Sequence, residues 1–299
     1  MKFVWRELIQ EELDRAYTQS EYAPNREQIL ARFASNSEMA RSRIGMPERL
    51  KYGSGAKEGI DFFRGQDGPA PCVIMVHGGA WRSGTAANYA FLAEIFIKAG
   101  VHCALPDFDW VQDRDGDLMP IADQVGRALA YICNSANKLN IEQNSVFVCA
   151  HSSGSHLAAS ALSGLKDRID GLHDNSIKAA LLCSGMYDLE PVRLSARSEY
   201  VAFTDEIEEM LSPMRHLDKL TMPIIVAHGT HETPEFKRQT IEFAEALDKH
   251  GLLMESIVAE NCNHFEVLET LANPYGLLGG SVRLKRLLTP SCPYPTFCR

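Results

Sequence analysis

The chain has 299 residues, 45% hydrophobic and 23% charged, the balance of a globular protein that builds a large core of its own. A formal net charge of −9 argues against nucleic acid or an anionic membrane as partner and says nothing against a small neutral ligand. No stretch reaches the ~18 apolar residues needed to span a bilayer, and the opening M-K-F-V-W-R-E-L carries charges where a secretion signal would be apolar.

Residues 4–19 hold apolar side chains at helical spacing (Leu8, Ile9, Leu13, Ala16), and a second helix is predicted over 26–44. Residues 1–47 thus read as an N-terminal helical arm. Strand signals follow near 49–52 and 59–64, then a Gly/Pro-rich turn over 65–71. An apolar strand over 72–76 ends on His77-Gly78-Gly79-Ala80-Trp81. Next come a helix over 89–99, a strand over 101–105, an acidic irregular loop over 107–120 and a helix over 121–137. Val146, Phe147, Val148 and Cys149 form a short run suited to a strand buried on both faces, and residues 155–162 read as a helix. Strands at 179–184, 223–227 and 255–258, a helix over 235–250 and an interrupted helix over 268–288 complete the chain. Residues 186–220 carry turn signals and charged helical pieces without a strand, and read as a cap-like insertion. Strands alternating with helices imply an α/β fold: a doubly wound, mostly parallel sheet with helices on both faces, in one domain over 1–299.

Among the eight cysteines, Cys72, Cys103, Cys149 and Cys183 lie in or beside strand-like runs and read as buried small hydrophobes in a reducing compartment. Cys292 and Cys298 could pair on oxidation, but free thiols are expected. The cytoplasm is the expected location. Two metal-like patterns fail on chemistry. His228-x-x-His231-Glu232 lacks the second histidine of H-E-x-x-H, and Pro234 interrupts the helix it would need. Asp113, Asp115 and Asp117 resemble the start of a calcium loop, but Gly116 is misplaced and Gln124 stands where a glutamate is required. No metal site is expected.

The chemistry gathers where predicted strands end, which is where doubly wound sheets bind ligands. Ala150-His151-Ser152-Ser153-Gly154 sits between a buried strand and a helix, with Ala150 replacing the first glycine of G-x-S-x-G. A serine on such a turn has its hydroxyl held clear of the backbone, at the positive end of a helix. Ser152 is therefore the candidate nucleophile. An oxyanion would need backbone N–H groups; Gly78, Gly79 and Ala80 can aim theirs without a large side chain in the way, together with Ser153. His264, directly after the last strand, is the candidate base, ahead of His151 and His156, which flank the serine. Glu232, after the 223–227 strand, is the candidate orienting carboxylate; Glu235 and Asp188 are its rivals, the former better explained as first-turn charge on a helix.

The segments H-G-G-A-W at 77–81, H-S-S-G-S-H-L at 151–157, S-G-M-Y-D-L at 184–189, H-E-T-P-E-F at 231–236 and N-H-F at 263–265 resemble the kynurenine formamidase (arylformamidase) branch of the α/β-hydrolases. L-D-R-A-Y at 13–17 and K-Y-G-S-G at 51–55 extend the likeness over nearly the whole chain. The order Ser152, Glu232, His264 is that of an α/β-hydrolase triad. The resemblance implies hydrolysis of N-formylkynurenine without a cofactor. It makes Ser152 the nucleophile, His264 the base and Glu232 the acid in place of the usual aspartate. An aryl leaving group is expected against Trp81, Tyr187 and Phe265, with His151 beside it. The segment Pro106-Asp107-Phe108-Asp109-Trp110 departs from the family near the pocket, so the substrate can differ. The partner expected is a small aryl amide or ester, with no nucleic acid and no membrane, and a homodimer left open.

Overall fold

In the computed structural model, which describes residues 2–281, one sheet of eight strands organises the chain. The strands are β1 (Glu48–Lys51), β2 (Gly59–Phe63), β3 (Ala70–Val76), β4 (His102–Pro106), β5 (Ile141–His151), β6 (Ala179–Cys183), β7 (Ile224–Gly229) and β8 (Leu253–Ala259). Their order across the sheet is β1-β2-β4-β3-β5-β6-β7-β8. β1 pairs with β2, and β2 with β4, antiparallel; every pairing from β4 through β8 is parallel. The five helices that bear on the argument are α1 (Gln10–Ala16), α2 (Arg26–Ile44), α3 (Met119–Asn134), α4 (Ser153–Leu162) and α5 (Pro234–Lys249).

Alternation along the central strands divides the core in two, because successive side chains point to opposite faces. Ile74, Val76 and Val148 pack on one face with Val125 and Leu129 of α3, Leu157 of α4 and Phe243 of α5. Val73, Met75 and Phe147 pack on the other with Ile29 and Phe33 of α2 and with Leu92 and Phe96. Strands covered on both sides explain the near-continuous apolar runs. Residues 186–220, between β6 and β7, are short pieces such as Glu190–Leu194 and Asp205–Met210 joined by 3-10 turns.

The predicted first helix over 4–19 is shorter than its apolar spacing suggested. A tight turn, closed by the Leu8 amide donating to the Trp5 carbonyl at 2.8 Å, occupies its start. α1 begins only at Gln10, where the Glu12 side chain accepts from the Ile9 amide at 3.1 Å. The predicted 89–99 helix is split into Ala86–Tyr89, a 3-10 turn over Ala90–Leu92, and Ala93–Lys98. The closing helix predicted over 268–288 does not form as far as the chain is described: the short helix Glu266–Glu269 and a 3-10 turn over Thr270–Ala272 lead into turns over 273–280. Residues 282–288, and Cys292 with Cys298, lie outside the described residues.

What positions the site is the switch of direction at β3, whose neighbours are β4 on one side and β5 on the other. In the β3–β5 register Val76 stands opposite Ala150, so the residues that come next, His77-Gly78 and His151-Ser152, lie side by side at the end of the sheet.

Candidate active site

Ser152 stands between the end of β5 and the first turn of α4, with φ 57° and ψ −128°, a conformation that L-residues rarely adopt. Such strain persists only where surroundings over-determine it. Here the Ser152 amide donates to the Cys183 carbonyl of β6 at 2.9 Å, and the Ser152 carbonyl accepts the His156 amide of α4 at 3.2 Å. Close packing of the turn against β3 adds to this. A Cβ on Gly154 would come within 2.4 Å of the Val76 and His77 carbonyl oxygens, and one on Gly78 within 2.9 Å of the Ser152 Cβ.

The structure brings Ser152, His264 and Glu232 into one hydrogen-bonded chain. His264 Nε2 lies 2.8 Å from Ser152 Oγ, and His264 Nδ1 lies 2.7 Å from Glu232 Oε2. Glu232 is fully buried, and its other oxygen, Oε1, accepts from Ser184 Oγ at 2.6 Å and from the Gly229 amide at 2.7 Å. Burial opposes its charge, but the facing His264, with hydrogen bonds from His264, Ser184 and Gly229, holds its carboxyl below the usual carboxylate range. An ionised Glu232 only accepts, so His264 carries its proton on Nδ1 and turns the Nε2 lone pair to the serine hydroxyl.

Four neighbouring strand ends supply these groups: β5 leads to Ser152, β6 to Ser184, β7 to Glu232 and β8 to His264. Neither rival carboxylate joins them. Glu235 pairs with Arg238 at 2.6 Å and accepts from Tyr17 Oη at 3.1 Å, while Asp188 accepts the Glu190 amide at 3.2 Å.

Gly79, Ala80 and Trp81 all have positive φ, at 130°, 54° and 62°. Among the described residues no acceptor is taken by the Gly79 or Ala80 amide, and Ser153 opens α4 with its own amide unused by the helix. Gly79, Ala80, Ser152 and His264 all line one cavity of about 680 Å³. Its other walls come from the arm (Asp14, Tyr17 and Phe33 among them), from Ser195 to Tyr200, and from Phe265.

His151 also lines the cavity, and Nε2–H donates to the His264 carbonyl at 2.8 Å, bracing the loop that carries the base. Burial, with the repulsion that a protonated His264 would add, pushes His151 down to about 3, so it is neutral. Phe265 stands edge-on to His264 with ring centres 5.2 Å apart. Trp81 and Tyr187 do not meet the expectation of aryl contacts. Trp81 Nε1–H donates inward to His156 Nδ1 at 3.1 Å, and the ring is 1% exposed. Tyr187 stacks on Phe243 with centres 4.0 Å apart, inside the core under α5. Both are apolar rings near motif residues, and packing claimed them. The pocket aromatics are instead Tyr17, Phe33, Tyr89, Tyr200 and Phe265.

Three contributors to the site escaped the sequence reading. Ser184 and Tyr17 lay inside segments quoted for the family resemblance without a role of their own. Arg197, in a stretch with no motif, gave no signal at all.

A mostly parallel sheet wound on both faces, with a strained serine at its switch point, is the architecture of an α/β-hydrolase, a hydrolytic enzyme. The chain belongs to the BD-FAE family, whose model matches residues 60–247. It is 28% identical to a kynurenine formamidase of Danio rerio over 92% of this chain and 95% of that one. It is 27% identical to esterase LipC of Mycobacterium tuberculosis over 67% of this chain and 54% of that one. A solved structure from Silicibacter sp., provisionally assigned as a thioesterase, superposes with a TM-score of 0.78 at 24% identity, covering 91% of this chain and 99% of that one. No helix among the described residues is long and apolar enough to cross a membrane.

Proposed function

We propose that the protein is a serine hydrolase that removes a small acyl group from an aryl amide or ester, with N-formylkynurenine as its leading substrate. The observation that carries the reading is the unbroken chain from Ser152 Oγ through His264 to Glu232 on the wall of an open cavity. Ser152 attacks the acyl carbonyl while His264 takes its proton. The oxyanion is held by the amides of Gly79, Ala80 and Ser153. His264 then protonates the leaving amine or alcohol, and water clears the acyl-enzyme by the same route. A formyl group is small enough for the space beside the glycine loop, and Phe265 and Tyr200 line the cavity where an aryl leaving group would sit. Residues 186–220 act as a cap, since Ser195 to Tyr200 roof the cavity. No step calls for a cofactor. Free buried thiols such as Cys72 and Cys103 favour the cytoplasm as the site of action.

The likeness to a formamidase over nearly full length supports the amide reading. The likeness to an esterase supports a second reading, a carboxylesterase with the same machinery. Turnover of N-formylkynurenine and of p-nitrophenyl acetate, on wild type and Ser152→Ala, separates them. A formylkynurenine kcat/KM above ~10⁴ M⁻¹s⁻¹ establishes the formamidase, and weak formamide turnover beside brisk ester hydrolysis establishes the esterase. Either activity should fall by roughly six orders of magnitude in Ser152→Ala. A tenth of the activity persisting there would remove Ser152 as the nucleophile, and no labelling of Ser152 by a fluorophosphonate would return the protein to the non-catalytic relatives of this fold.

A further inference from the structure

Arg197 lines the same cavity as Ser152 yet is only 8% exposed. A guanidinium has five N–H donors and no route to neutrality in a protein. One Nη1 hydrogen goes to Tyr200 Oη at 2.8 Å and one Nη2 hydrogen to the Tyr17 carbonyl at 3.1 Å. Nε is buried with no acceptor, and no carboxylate among the described residues pairs with the group. The rings of Trp81, Tyr17 and Phe236 lie 5.4, 5.9 and 5.8 Å from its central carbon. They offset part of the cost of burying a cation but fill no N–H.

A buried charge normally comes with its counter-charge, because desolvation otherwise goes uncompensated. Here the countercharge is missing although the chain carries 39 acidic residues against 30 basic ones. The walls make the local field more positive. Arg82 lies over the Tyr200 ring at 4.5 Å and Arg26 over the Phe265 ring at 5.8 Å, and neither has an acidic partner among the described residues. Of the acids at the cavity, Asp14 is engaged by the Ala196 amide at 2.6 Å and by Gln10 at 2.9 Å, and Glu199 sits at the exposed rim.

We propose that Arg197 is a specificity residue that binds a carboxylate on the leaving-group side of the substrate. The planar guanidinium suits the two oxygens of a carboxylate, which would use donors that the fold leaves unfilled. Arg197 touches the ring of Trp81, the residue that follows the Gly79-Ala80 turn. An anion seated there is anchored next to the loop proposed to hold the oxyanion, with its acyl group free to reach Ser152. Arg197 thereby selects an aryl amide or ester whose leaving group carries a carboxylate, as that of N-formylkynurenine does, over one that lacks it. This deepens the serine-hydrolase reading and rests on it.

The test uses two aryl acetates, matched except that a short ring side chain ends in carboxylate in one and in carboxamide in the other. On the full chain the carboxylate should be favoured about tenfold or more in kcat/KM, mainly through KM, as a charge-assisted hydrogen bond provides. Added salt should shrink the preference. Arg197→Gln should bring the ratio close to one, and Arg197→Lys should keep part of it. A ratio near one in wild type, or Arg197→Gln slowing both esters alike, would overturn the inference while leaving the hydrolase standing. If Arg197→Gln does not fold, the wild-type ratio and its salt dependence decide. If Ser152 proves inert to a fluorophosphonate, the hydrolase reading falls separately. Calorimetric titration of the two ring compounds into Ser152→Ala then decides: tighter carboxylate binding supports the Arg197 site, and equal binding rejects it.

Discussion

Ser184 Oγ donates to Glu232 Oε1 at 2.6 Å, joining the end of β6 to the loop after β7. Ser184 itself has φ 55°, and its amide donates to the Ala227 carbonyl at 2.8 Å, so its hydroxyl is aimed by the sheet. It directly follows β6, the strand between the one that leads to Ser152 and the one that leads to Glu232. The neutral hydroxyl helps keep a fully buried Glu232 ionised and its other oxygen turned to His264.

Ser184→Ala leaves a buried carboxylate short of one donor, at a cost of about 1–3 kcal/mol. The expected result is a fall of about tenfold in kcat with KM for p-nitrophenyl acetate little changed. Steady-state kinetics on that ester checks it, and an unchanged kcat would remove Ser184 from any positioning role.

Gly79→Ala is expected to be severe for steric and conformational reasons together. At φ 130° a Cβ is strained, and it would lie 1.9 Å from the Ser83 carbonyl oxygen. The turn must shift, taking the Gly79 and Ala80 amides off target, and kcat should drop by about 10²–10³ as when an oxyanion donor is lost. Wild-type turnover by a folded Gly79→Ala protein would show that these amides hold no oxyanion.

Buried neutral histidines make stability depend on pH, His151 and His156 among them and His77 in the same sense. Burial, with His264, pushes His151 down to about 3. Burial, with the Arg197 charge, pushes His156 down to about 4. Unfolded, both titrate near ~6.5, so below that pH the unfolded chain binds protons that the folded chain refuses. Their contribution is complete above ~6.5 and drains as pH falls towards the folded values, by about 1.4 kcal/mol per pH unit for each. Glu232 acts in the same sense at lower pH, its contribution being full above the ordinary carboxylate range and lost as pH falls through its depressed value. Urea unfolding between pH 7 and 4 should show the decline, and His156→Gln should reduce its slope by one proton's worth. A slope untouched by that variant would mean that His156 is protonated in the fold.

Strand and helix order came from local chemistry. Apolar runs such as C-V-I-M-V need burial on both faces, and Gly/Pro turns punctuate them, so the alternation of β and α could be read without tertiary information. The pairing of Ser152 with His264 and Glu232 as candidates was equally legible, since each follows a strand and the fold type puts strand ends together. Beyond that, three-dimensional packing decided. Trp81 and Tyr187 look alike to the sequence as aromatics beside motif residues. Whether such a ring faces a cavity or a core depends on neighbours far along the chain: His156 for one and Phe243 for the other. Arg197 belongs to the same class. An arginine in a charged helical stretch reads as solvated surface, and only the closure of the arm over it, through the Tyr17 carbonyl, makes it a buried cation without an anion.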